Sequence, residues 1–340
     1  MIRVALVGYG LGGRSFHAPL IATTPGMTLD AIITSNAERR AQAAAEHPTA
    51  RLVERADDVF SRPTDVDLVV LTTPNRTHAP LAMSALEAGL PVVVDKPMAP
   101  TSAEAKRLAE EARRRKLFLT VYHNRRWDGD FRTVARLVQD GRLGAVHRFE
   151  SRFERWRPNL KGGWRESTDP ADAGGLLYDL GSHLIDQALQ LFGPVADVYS
   201  EVDTRRPAAQ VDDDTFVALA HTNGVRSHLW MSVLAADRAA RFRVFGAKGT
   251  YTKYGMDVQE EALRGGARPD AESWGEEPRD GWGVISDGES ARSVPTERGA
   301  YQEFYAGVVR SLETGAPPPV EPNDAVSVIE VIERARRSAG

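Results

Sequence analysis

The feature that most constrains this chain is a glycine-rich turn directly after its first predicted strand. Residues Arg3–Val7 read as a buried strand and run into Gly8-Tyr9-Gly10-Leu11-Gly12-Gly13, with a helix predicted over 14–23. Glycines in the GxGxxG spacing permit a tight turn, close approach of a pyrophosphate to the backbone, and close packing of the helix on the strand. The predicted dinucleotide-binding residues of this turn are Gly8, Gly10, Leu11, Gly12 and Gly13.

The alternation of apolar runs and helical patterns continues through the first third of the chain. Further strands are predicted at Met27–Thr34, Leu68–Thr72, Pro91–Val94 and Leu117–Tyr122, separated by helices at 37–46, 77–89 and 102–115. Strands that alternate with helices are typical of a parallel sheet covered by helices. We therefore expect an α/β Rossmann dinucleotide-binding domain over residues 1–122.

Strands dominate the second part of the chain. They are predicted at Phe149–Phe153, Val195–Val202, Phe216–His221, Ser227–Ala235 and Arg241–Val244, with helices at 175–191, 299–313 and 323–337. This succession favours an α+β domain with a large, mostly antiparallel sheet over 123–322. The helix at about 323–337 is expected to pack back on the first domain. Residues 264–298, rich in Gly, Pro and acidic residues, are interpreted as a surface loop.

The composition of the chain excludes several classes of function. The 340 residues exceed what one core usually supports, and the net charge of −4 argues against nonspecific binding to nucleic acid or anionic membrane. The absence of cysteine excludes disulfides and thiolate chemistry, and the histidines and acids show no metal-ligand spacing, so no metal is expected. The chain opens on a strand without a preceding targeting region, which favours a cytoplasmic location.

The end of the second predicted strand indicates the cofactor. NAD sites usually place Asp or Glu about 20 residues after the glycines, to hold the ribose 2′-hydroxyl. Here Thr34, Ser35 and Asn36 are followed by Arg39, and hydroxyls with a guanidinium suit a 2′-phosphate. NADP is favoured, with NAD as the alternative. The competing interpretation is that Arg39 and Arg40 merely face solvent.

Two further motifs resemble a known family. Thr72-Thr73-Pro74-Asn75 with His78 precedes Asp95-Lys96-Pro97, and the second half contains a glycine-led stretch, Gly174 to Asp186, with Asp179 and His183 four residues apart. With the glycine turn, these resemble the glucose–fructose oxidoreductase, inositol dehydrogenase and rhizopine-catabolism (Gfo/Idh/MocA) family of oxidoreductases. The hallmark tripeptide of that family is Glu-Lys-Pro, and here the acid is Asp95.

Finer matches resemble one subgroup. The segments Phe16–Leu20, Tyr122–Phe131 and Trp274–Pro278 are similar to NADP-dependent scyllo-inositol dehydrogenases. That resemblance implies interconversion of scyllo-inositol and scyllo-inosose by a homo-oligomer, a dimer or tetramer. The alternatives are a nicotinamide-dependent glycoside hydrolase and a non-catalytic cofactor-sensing regulator. The presence of both Lys96 and His183 favours an enzyme.

The spacing of Asp179 and His183 fits proton transfer. Residues i and i+4 project from one face of a helix, and a carboxylate beside an imidazole orients it and raises its basicity. Our hypothesis is that His183 moves the hydroxyl proton, Asp179 supports it, and Lys96 hydrogen-bonds the same oxygen; the resemblance assigns the same three residues. This hypothesis requires the strand end that carries Lys96 in the first domain to face the helix that carries His183 in the second. Alternatively, Lys96 is a surface lysine and His183 is satisfied within the fold.

The remaining candidates follow predicted strand ends. Cofactor contacts are expected from Thr72, Thr73, Pro74, Asn75, His78, Asp95 and Lys96. Contacts to a polyol or sugar are expected from Lys96, His123, Asn124, Arg125, Trp127, Glu154, Asp179 and His183. Trp127 either stacks on a ring or fills the domain seam. Asp212-Asp213-Asp214 is interpreted as a solvated turn rather than a cation site.

Overall fold

The computed structural model describes residues 1–160, 162–237 and 239–339. The chain divides into two units. Unit 1 comprises Met1–Asn124, Gln259–Trp274 and Ala300–Val326, and unit 2 comprises Arg125–Val258, Gly275–Gly299 and Ser327–Gly340. Each unit is built on one sheet.

The sheet of unit 1 is parallel throughout. Its strands are β1 (Ile2–Val7), β2 (Met27–Ile33), β3 (Arg51–Val53), β4 (Leu68–Leu71), β5 (Val92–Val94) and β6 (Leu119–Val121). Their order is β3-β2-β1-β4-β5-β6, the order of a Rossmann fold. Strands β4 and β5 are buried along their whole length, as expected when helices cover both faces of a parallel sheet.

The sheet of unit 2 has eight strands. They are β7 (Val146–Glu154), β8 (Val195–Asp203), β9 (Asp214–His221), β10 (Arg226–Ser232), β11 (Phe242–Gly246), β12 (Gly249–Lys253), β13 (Gly283–Ser286) and β14 (Ala291–Val294). The order is β14-β13-β12-β11-β7-β10-β9-β8, and every neighbouring pair is antiparallel except β7 with β10. The predicted fold class is confirmed in both halves.

Helices cover these sheets. In chain order they are α1 (Ala18–Thr23), α2 (Ala37–Glu46), α3 (Ala56–Phe60), α4 (His78–Glu87), α5 (Ser102–Arg115), α6 (Gly129–Gln139), α7 (Ser182–Phe192), α8 (Gln259–Arg264), α9 (Gln302–Thr314) and α10 (Pro322–Ser338). A π-helical turn, Leu177–Gly181, leads into α7. In the described part of the chain, no helix has the length and apolar character that membrane crossing requires.

Four short strands were not predicted from sequence. β3 has only three residues, and β12 follows β11 through a tight turn. β13 and β14 form an antiparallel hairpin inside 264–298, a stretch that we interpreted as a surface loop ordered only in part, without strands. The residues of β14 are mostly exposed, which leaves no alternation of apolar and polar residues for a sequence pattern to detect.

The division into units differs from the predicted one. Residues Gln259–Trp274 and Ala300–Val326 lie in unit 1, whereas the predicted second domain includes all of them up to residue 322. The boundary near the C-terminus falls inside α10. Val328, Val331 and Ile332 of this helix belong to the hydrophobic core of unit 2, because a stripe of apolar residues at helical spacing faces that core. The last helix thus contributes to the core of unit 2 and does not pack wholly on the Rossmann domain.

Candidate functional site

The glycine-rich turn of unit 1 closes tightly around the end of β1. A Cβ added at Gly13 would lie 2.1 Å from the Gly8 carbonyl oxygen, so a larger residue would push the following helix off the strand. The Thr72 hydroxyl donates to that carbonyl over 2.8 Å, and Thr72 N donates to Val7 O over 2.8 Å. The turn is therefore held against the end of β4. Ligands of open parallel sheets bind at these carboxyl ends.

The guanidinium of Arg39 lies over the same turn. Its nearest atom is 3.7 Å from a Cβ built at Gly10, while the Arg39 backbone N–H donates to the Asn36 side chain over 2.9 Å. Asn36 is thus the N-cap of α2. Arg40 instead donates to the Leu52 carbonyl. The two neighbouring arginines therefore differ: one reaches the glycine turn and one anchors to the edge of the sheet.

The strand ends of β4 and β5 are tied together by His78. Its ring nitrogens lie 2.8 Å from the Pro97 carbonyl oxygen and 2.7 Å from the Thr73 carbonyl oxygen. Burial lowers the pKa of His78 below its ordinary value. The peptide bond between Lys96 and Pro97 is cis. His78 thus links the two loops that carry the predicted cofactor residues Thr73 and Lys96.

Asp95 lies next to the glycine turn. Its Oδ1 accepts the Lys96 backbone N–H over 2.8 Å, and its Oδ2 would lie 3.1 Å from a Cβ at Gly12. Burial raises its pKa, but His17, His78 and Lys96 outweigh this effect and hold the pKa of Asp95 below its ordinary value. Asp95 is therefore a carboxylate at neutral pH. Unit 1 thereby brings Gly12, Asp95 and Lys96 together at one edge of its sheet.

In unit 2, Asp179 sits in the π-helical turn and His183 in the first turn of α7. Asp179 faces two guanidinium groups, that of Arg165 at 3.5 Å and that of Arg155 at 3.9 Å. Arg165 is not among the predicted site residues. His183 is buried, at 6% exposure. The carboxylate thus lies in a cationic environment, which favours its ionised form.

Asp212 anchors the start of this helical segment. Its Oδ2 accepts the Leu177 N–H over 2.7 Å, and Gly175 has φ +96° and no room for a Cβ, which would lie 1.9 Å from Asp212 Oδ1. Asp213 is also buried and accepts two backbone N–H groups and the Arg206 guanidinium. The interpretation of Asp212-Asp213-Asp214 as a solvated turn is therefore wrong for the first two residues. Burial raises the pKa of Asp212.

Helix α7 also holds Arg125, a predicted substrate residue. Asp186 accepts the Arg126 guanidinium at 2.9 and 2.6 Å, and the Gln187 side chain donates to the Arg125 carbonyl over 3.0 Å. The Arg125 guanidinium contacts Asp128 at 3.2 Å. Asp186 and Gln187 are outside the predicted site residues. The sequence did offer one signal for them: both follow the Asp-x-x-x-His pattern of Asp179 and His183 on the same helix.

The other predicted residues are divided between the units. His123 and Asn124 follow β6 in unit 1 and are buried, whereas Trp127 and Glu154 belong to unit 2 and are partly buried. Burial raises the pKa of Glu154. Within the described ranges, no group of three or more His, Asp or Glu side chains has the arrangement of a metal site.

The parallel sheet order and the glycine turn define unit 1 as a Rossmann-type dinucleotide-binding domain. Family models agree with this: the oxidoreductase family with an NAD-binding Rossmann fold matches residues 2–123, and the GFO/IDH/MocA C-terminal domain matches residues 131–252. The chain belongs to the Gfo/Idh/MocA family of NAD-binding oxidoreductases.

Similar proteins are matched over nearly the whole chain. The uncharacterized oxidoreductase YdgJ of Escherichia coli strain K12 is 42% identical, covering 99% of this chain and 96% of YdgJ. The scyllo-inositol 2-dehydrogenase (NADP(+)) IolW of Bacillus subtilis strain 168 is 33% identical, covering 99% and 94%. The solved structure of the oxidoreductase YPO2259 from Yersinia pestis is 41% identical, with a TM-score of 0.91, and covers 99% of this chain and 95% of that one.

Proposed function

We propose that this oxidoreductase uses NADP to interconvert a secondary alcohol and a ketone on a cyclic polyol or sugar, with scyllo-inositol and scyllo-inosose as the substrate pair. Support for the substrate comes from the full-length similarity to IolW, whose name states that reaction. The observation that carries the choice of cofactor is the Arg39 guanidinium over Gly10, beside a strand end that has hydroxyl and amide groups instead of a carboxylate. A guanidinium binds a phosphate well and a ribose hydroxyl less strongly.

The residues present in unit 1 fit a dinucleotide. At Gly10 only the Arg39 side chain lies within 4 Å of an added Cβ, at 3.7 Å, so no backbone crowds this position of the turn. The residues proposed to hold the cofactor are Gly8, Gly10, Leu11, Gly12, Gly13, Thr34, Ser35, Asn36, Arg39, Thr72, Thr73, Pro74, Asn75, His78, Asp95 and Lys96. Helix N–H groups and the positive end of the helix dipole suit the pyrophosphate.

The proposed chemistry divides the work between two side chains. The nicotinamide supplies an acceptor for the hydride that leaves the carbinol carbon. His183 accepts the proton of the substrate hydroxyl, and the Lys96 ammonium donates a hydrogen bond to the same oxygen, where negative charge develops. The product is the ketone, and the proton remains on the imidazole until it exchanges with solvent. In the reverse direction His183 returns the proton.

Asp179 is proposed to stabilise the protonated form of His183. Its own charge is supported by Arg155 at 3.9 Å and Arg165 at 3.5 Å. The further residues proposed to contact the ring and its hydroxyls are His123, Asn124, Arg125, Trp127 and Glu154. A polyol presents hydroxyls that both donate and accept, and this set contains imidazole, amide, guanidinium and carboxyl groups that match them.

The test is a substrate screen with the purified protein. Inositol isomers and hexoses are offered with NADP and NAD in parallel, and formation of reduced nicotinamide is followed by its ultraviolet absorbance. We expect the fastest reduction with scyllo-inositol and NADP. Cleavage of glycosides without net reduction would instead indicate a glycoside hydrolase. Cofactor binding without turnover of any compound would indicate a sensing role.

A second test addresses the two proton-handling groups. Lys96→Met and His183→Asn should each lower kcat by about 10²- to 10⁴-fold, the usual contribution of a positioned acid or base. Binding of NADP, followed by fluorescence, should be largely retained. His221→Asn is the matched control, since His221 is a buried histidine bonded to Gly193 and Ser227. Full activity of either Lys96→Met or His183→Asn would refute the assigned roles.

A homo-oligomer, dimer or tetramer, is part of the proposal. Its support is the resemblance to the family. Tyr199 on β8 and Val284 on β13 are exposed, but these strands lie near opposite ends of the sheet of unit 2 and the two side chains form no single apolar patch. Light scattering coupled to gel filtration measures the mass in solution. We also propose a cytoplasmic location, which cell fractionation tests.

A further inference from the structure

A buried histidine lies behind Asp95, and the proposed reaction makes no use of it. His17 has 0% exposure and belongs to the segment Phe16–Leu20, which the sequence analysis singled out without giving it a role. The residues around it all belong to unit 1. A buried imidazole beside a carboxylate is a costly arrangement unless its two nitrogens are matched to their surroundings.

The imidazole of His17 is held from three sides. Its Nδ1 lies 2.6 Å from the Tyr305 hydroxyl, and its ring centroid lies 4.2 Å from that of Tyr122. On the opposite side, Nε2 lies 3.7 Å from Asp95 Oδ2. That distance is an electrostatic contact, somewhat longer than a hydrogen bond. Among the residues described, Nε2 has no acceptor within hydrogen-bond distance, and the Asp95 carboxylate is the charged group that it faces.

These contacts select one tautomer. Burial raises the pKa of Tyr305 well above its ordinary value, so its hydroxyl keeps a proton and can donate it to Nδ1. When Nδ1 accepts from Tyr305, a ring hydrogen resides on Nε2 and points toward the Asp95 carboxylate. The opposite tautomer would place the Nε2 lone pair against a negative charge in a buried environment, where such repulsion is weakly screened.

Asp95 transmits this contact to Lys96. While Oδ2 faces His17, Oδ1 accepts the Lys96 backbone N–H over 2.8 Å. Oδ2 also lies 3.1 Å from the position that a Cβ at Gly12 would occupy, so the glycine leaves room for the carboxylate beside the turn. The two carboxylate oxygens therefore divide their contacts between the imidazole and the start of the loop that carries Lys96.

We propose that His17 is a positioning residue for Lys96: with Nδ1 bonded to the Tyr305 hydroxyl and its hydrogen on Nε2 facing the carboxylate, the imidazole holds Asp95 in the orientation that accepts the Lys96 backbone N–H. The inference rests on the proposed function, because that function makes Lys96, on this loop, a catalytic residue. The positioning itself is a property of unit 1 and is measurable without turnover.

Two substitutions at His17 separate its two nitrogens. In His17→Gln the side-chain amide reaches the position of Nε2 and retains a donor toward Asp95. In His17→Asn the amide reaches only the position of Nδ1, so the donor is lost. Tyr305→Phe removes the hydroxyl that bonds to Nδ1 and keeps the ring. Tyr301→Phe is the matched control, one turn earlier at the start of the same helix and also fully buried.

The primary readout is hydrogen exchange of the Lys96 amide, measured by NMR on the full chain, with the tautomer of His17 read from its ring ¹⁵N shifts. We expect Nε2–H in the wild type. Exchange of the Lys96 amide should accelerate about tenfold in His17→Asn and in Tyr305→Phe, as for the loss of one hydrogen bond to a charged group, and much less in His17→Gln and Tyr301→Phe. Circular dichroism establishes that each variant is folded.

Two results would overturn the inference: an Nδ1–H tautomer in the wild type, or unchanged Lys96 exchange in both His17→Asn and Tyr305→Phe. Turnover gives a second readout. With scyllo-inositol, kcat should fall about tenfold to a hundredfold in His17→Asn, with rescue in His17→Gln and a smaller effect on KM. If the Lys96 amide responds as expected but Lys96→Met is fully active, the catalytic role of Lys96 fails while the positioning by His17 stands.

Discussion

Arg39 and Arg40 are neighbours in sequence, yet the structure gives them different surroundings. The Arg39 guanidinium lies 3.7 Å from a Cβ built at Gly10, whereas Arg40 donates to the Leu52 carbonyl over 3.1 Å. If Arg39 holds the 2′-phosphate of NADP, its loss should weaken NADP binding and leave NAD binding nearly unchanged.

We therefore expect Arg39→Ala to raise the Kd of NADP by about 10- to 100-fold, the equivalent of one charge-assisted hydrogen bond of about 1.5–3 kcal/mol. The measurement is titration of both cofactors by calorimetry or fluorescence. Arg40→Ala is the matched control and should bind both cofactors like the wild type. Equal weakening of NADP and NAD in Arg39→Ala would remove the argument for NADP.

Glu46 connects the glycine turn to the end of α2. It accepts the Tyr9 hydroxyl over 2.6 Å and the Arg14 guanidinium over 2.9 Å. The side-chain hydrogen bonds from Arg14, working against burial, hold the pKa of Glu46 below its ordinary value. A carboxyl whose pKa is lowered in the folded state stabilises the fold above its unfolded-state pKa and loses that contribution as pH falls.

Glu46→Gln should therefore lower the free energy of unfolding at neutral pH, by no more than about 1 kcal/mol because the ion pair is partly exposed. The difference from the wild type should shrink as the pH falls below the unfolded-state pKa of about 4.3, and disappear at lower pH, once the carboxyl is also protonated in the folded state. Urea unfolding at a series of pH values measures it. Glu110→Gln, at an exposed position of α5, should show no such pH-dependent difference. A pH-independent loss in Glu46→Gln would contradict the electrostatic explanation.

Among the structural elements, the helical segment that carries Asp179 and His183 depends on the contacts made by its first residues. Asp212 accepts the Leu177 N–H over 2.7 Å, and Gly175 packs directly against that carboxylate. A Cβ at Gly175 would lie 1.9 Å from Asp212 Oδ1 and would also be strained by φ +96°. The carboxylate would have to move, which would release the first turn of the segment.

Gly175→Ala should destabilise the protein by about 3 kcal/mol or more, the sum of backbone strain and overpacking, and should lower turnover. Gly193→Ala, at the other end of α7, is the matched control: its φ is +74°, and no heavy atom lies within 4 Å of an added Cβ. Gly193→Ala should lower the free energy of unfolding only by the backbone strain, about 1–2 kcal/mol. Similar losses in the two variants, measured by denaturant unfolding, would show that the collision with Asp212 is unimportant.

At the scale of the whole molecule, the last helix completes the core of unit 2. Ile332 is fully buried there, together with Val328 and Val331. Arg334 of the same helix donates to the Val195 and Ala196 carbonyls at the start of β8. The C-terminal segment is thus an integral part of unit 2 rather than an appendage.

Ile332→Ala should lower the free energy of unfolding by about 2–5 kcal/mol, because it removes buried methyl groups and leaves a cavity. Arg337→Ala, at an exposed position of α10, should change it by less than about 0.5 kcal/mol. Denaturant unfolding followed by circular dichroism gives both values. A loss below about 1 kcal/mol for Ile332→Ala would show that the helix is not part of this core.

Most strands of the Rossmann half and its glycine-rich turn are predictable from the sequence. The signals there are local: continuous apolar runs mark β1, β2 and β4, the glycine spacing marks the turn, and the strand ends carry Thr72, Asp95 and Lys96 within a few residues of each strand. Parallel strands present their carboxyl ends at one edge, so residues at those ends are brought together by the strand pattern alone.

Only the tertiary structure decided the roles of Asp212, Asp186 and His17. Asp212 bonds to Leu177, 35 positions away, and His17 contacts Tyr305, 288 positions away. The same is true of the interleaved units and of the exposed hairpin β13–β14, which has no apolar alternation. Periodicity reports which face of an element is buried, but the partner of a buried polar group is chosen by chain segments that meet only when the whole fold closes.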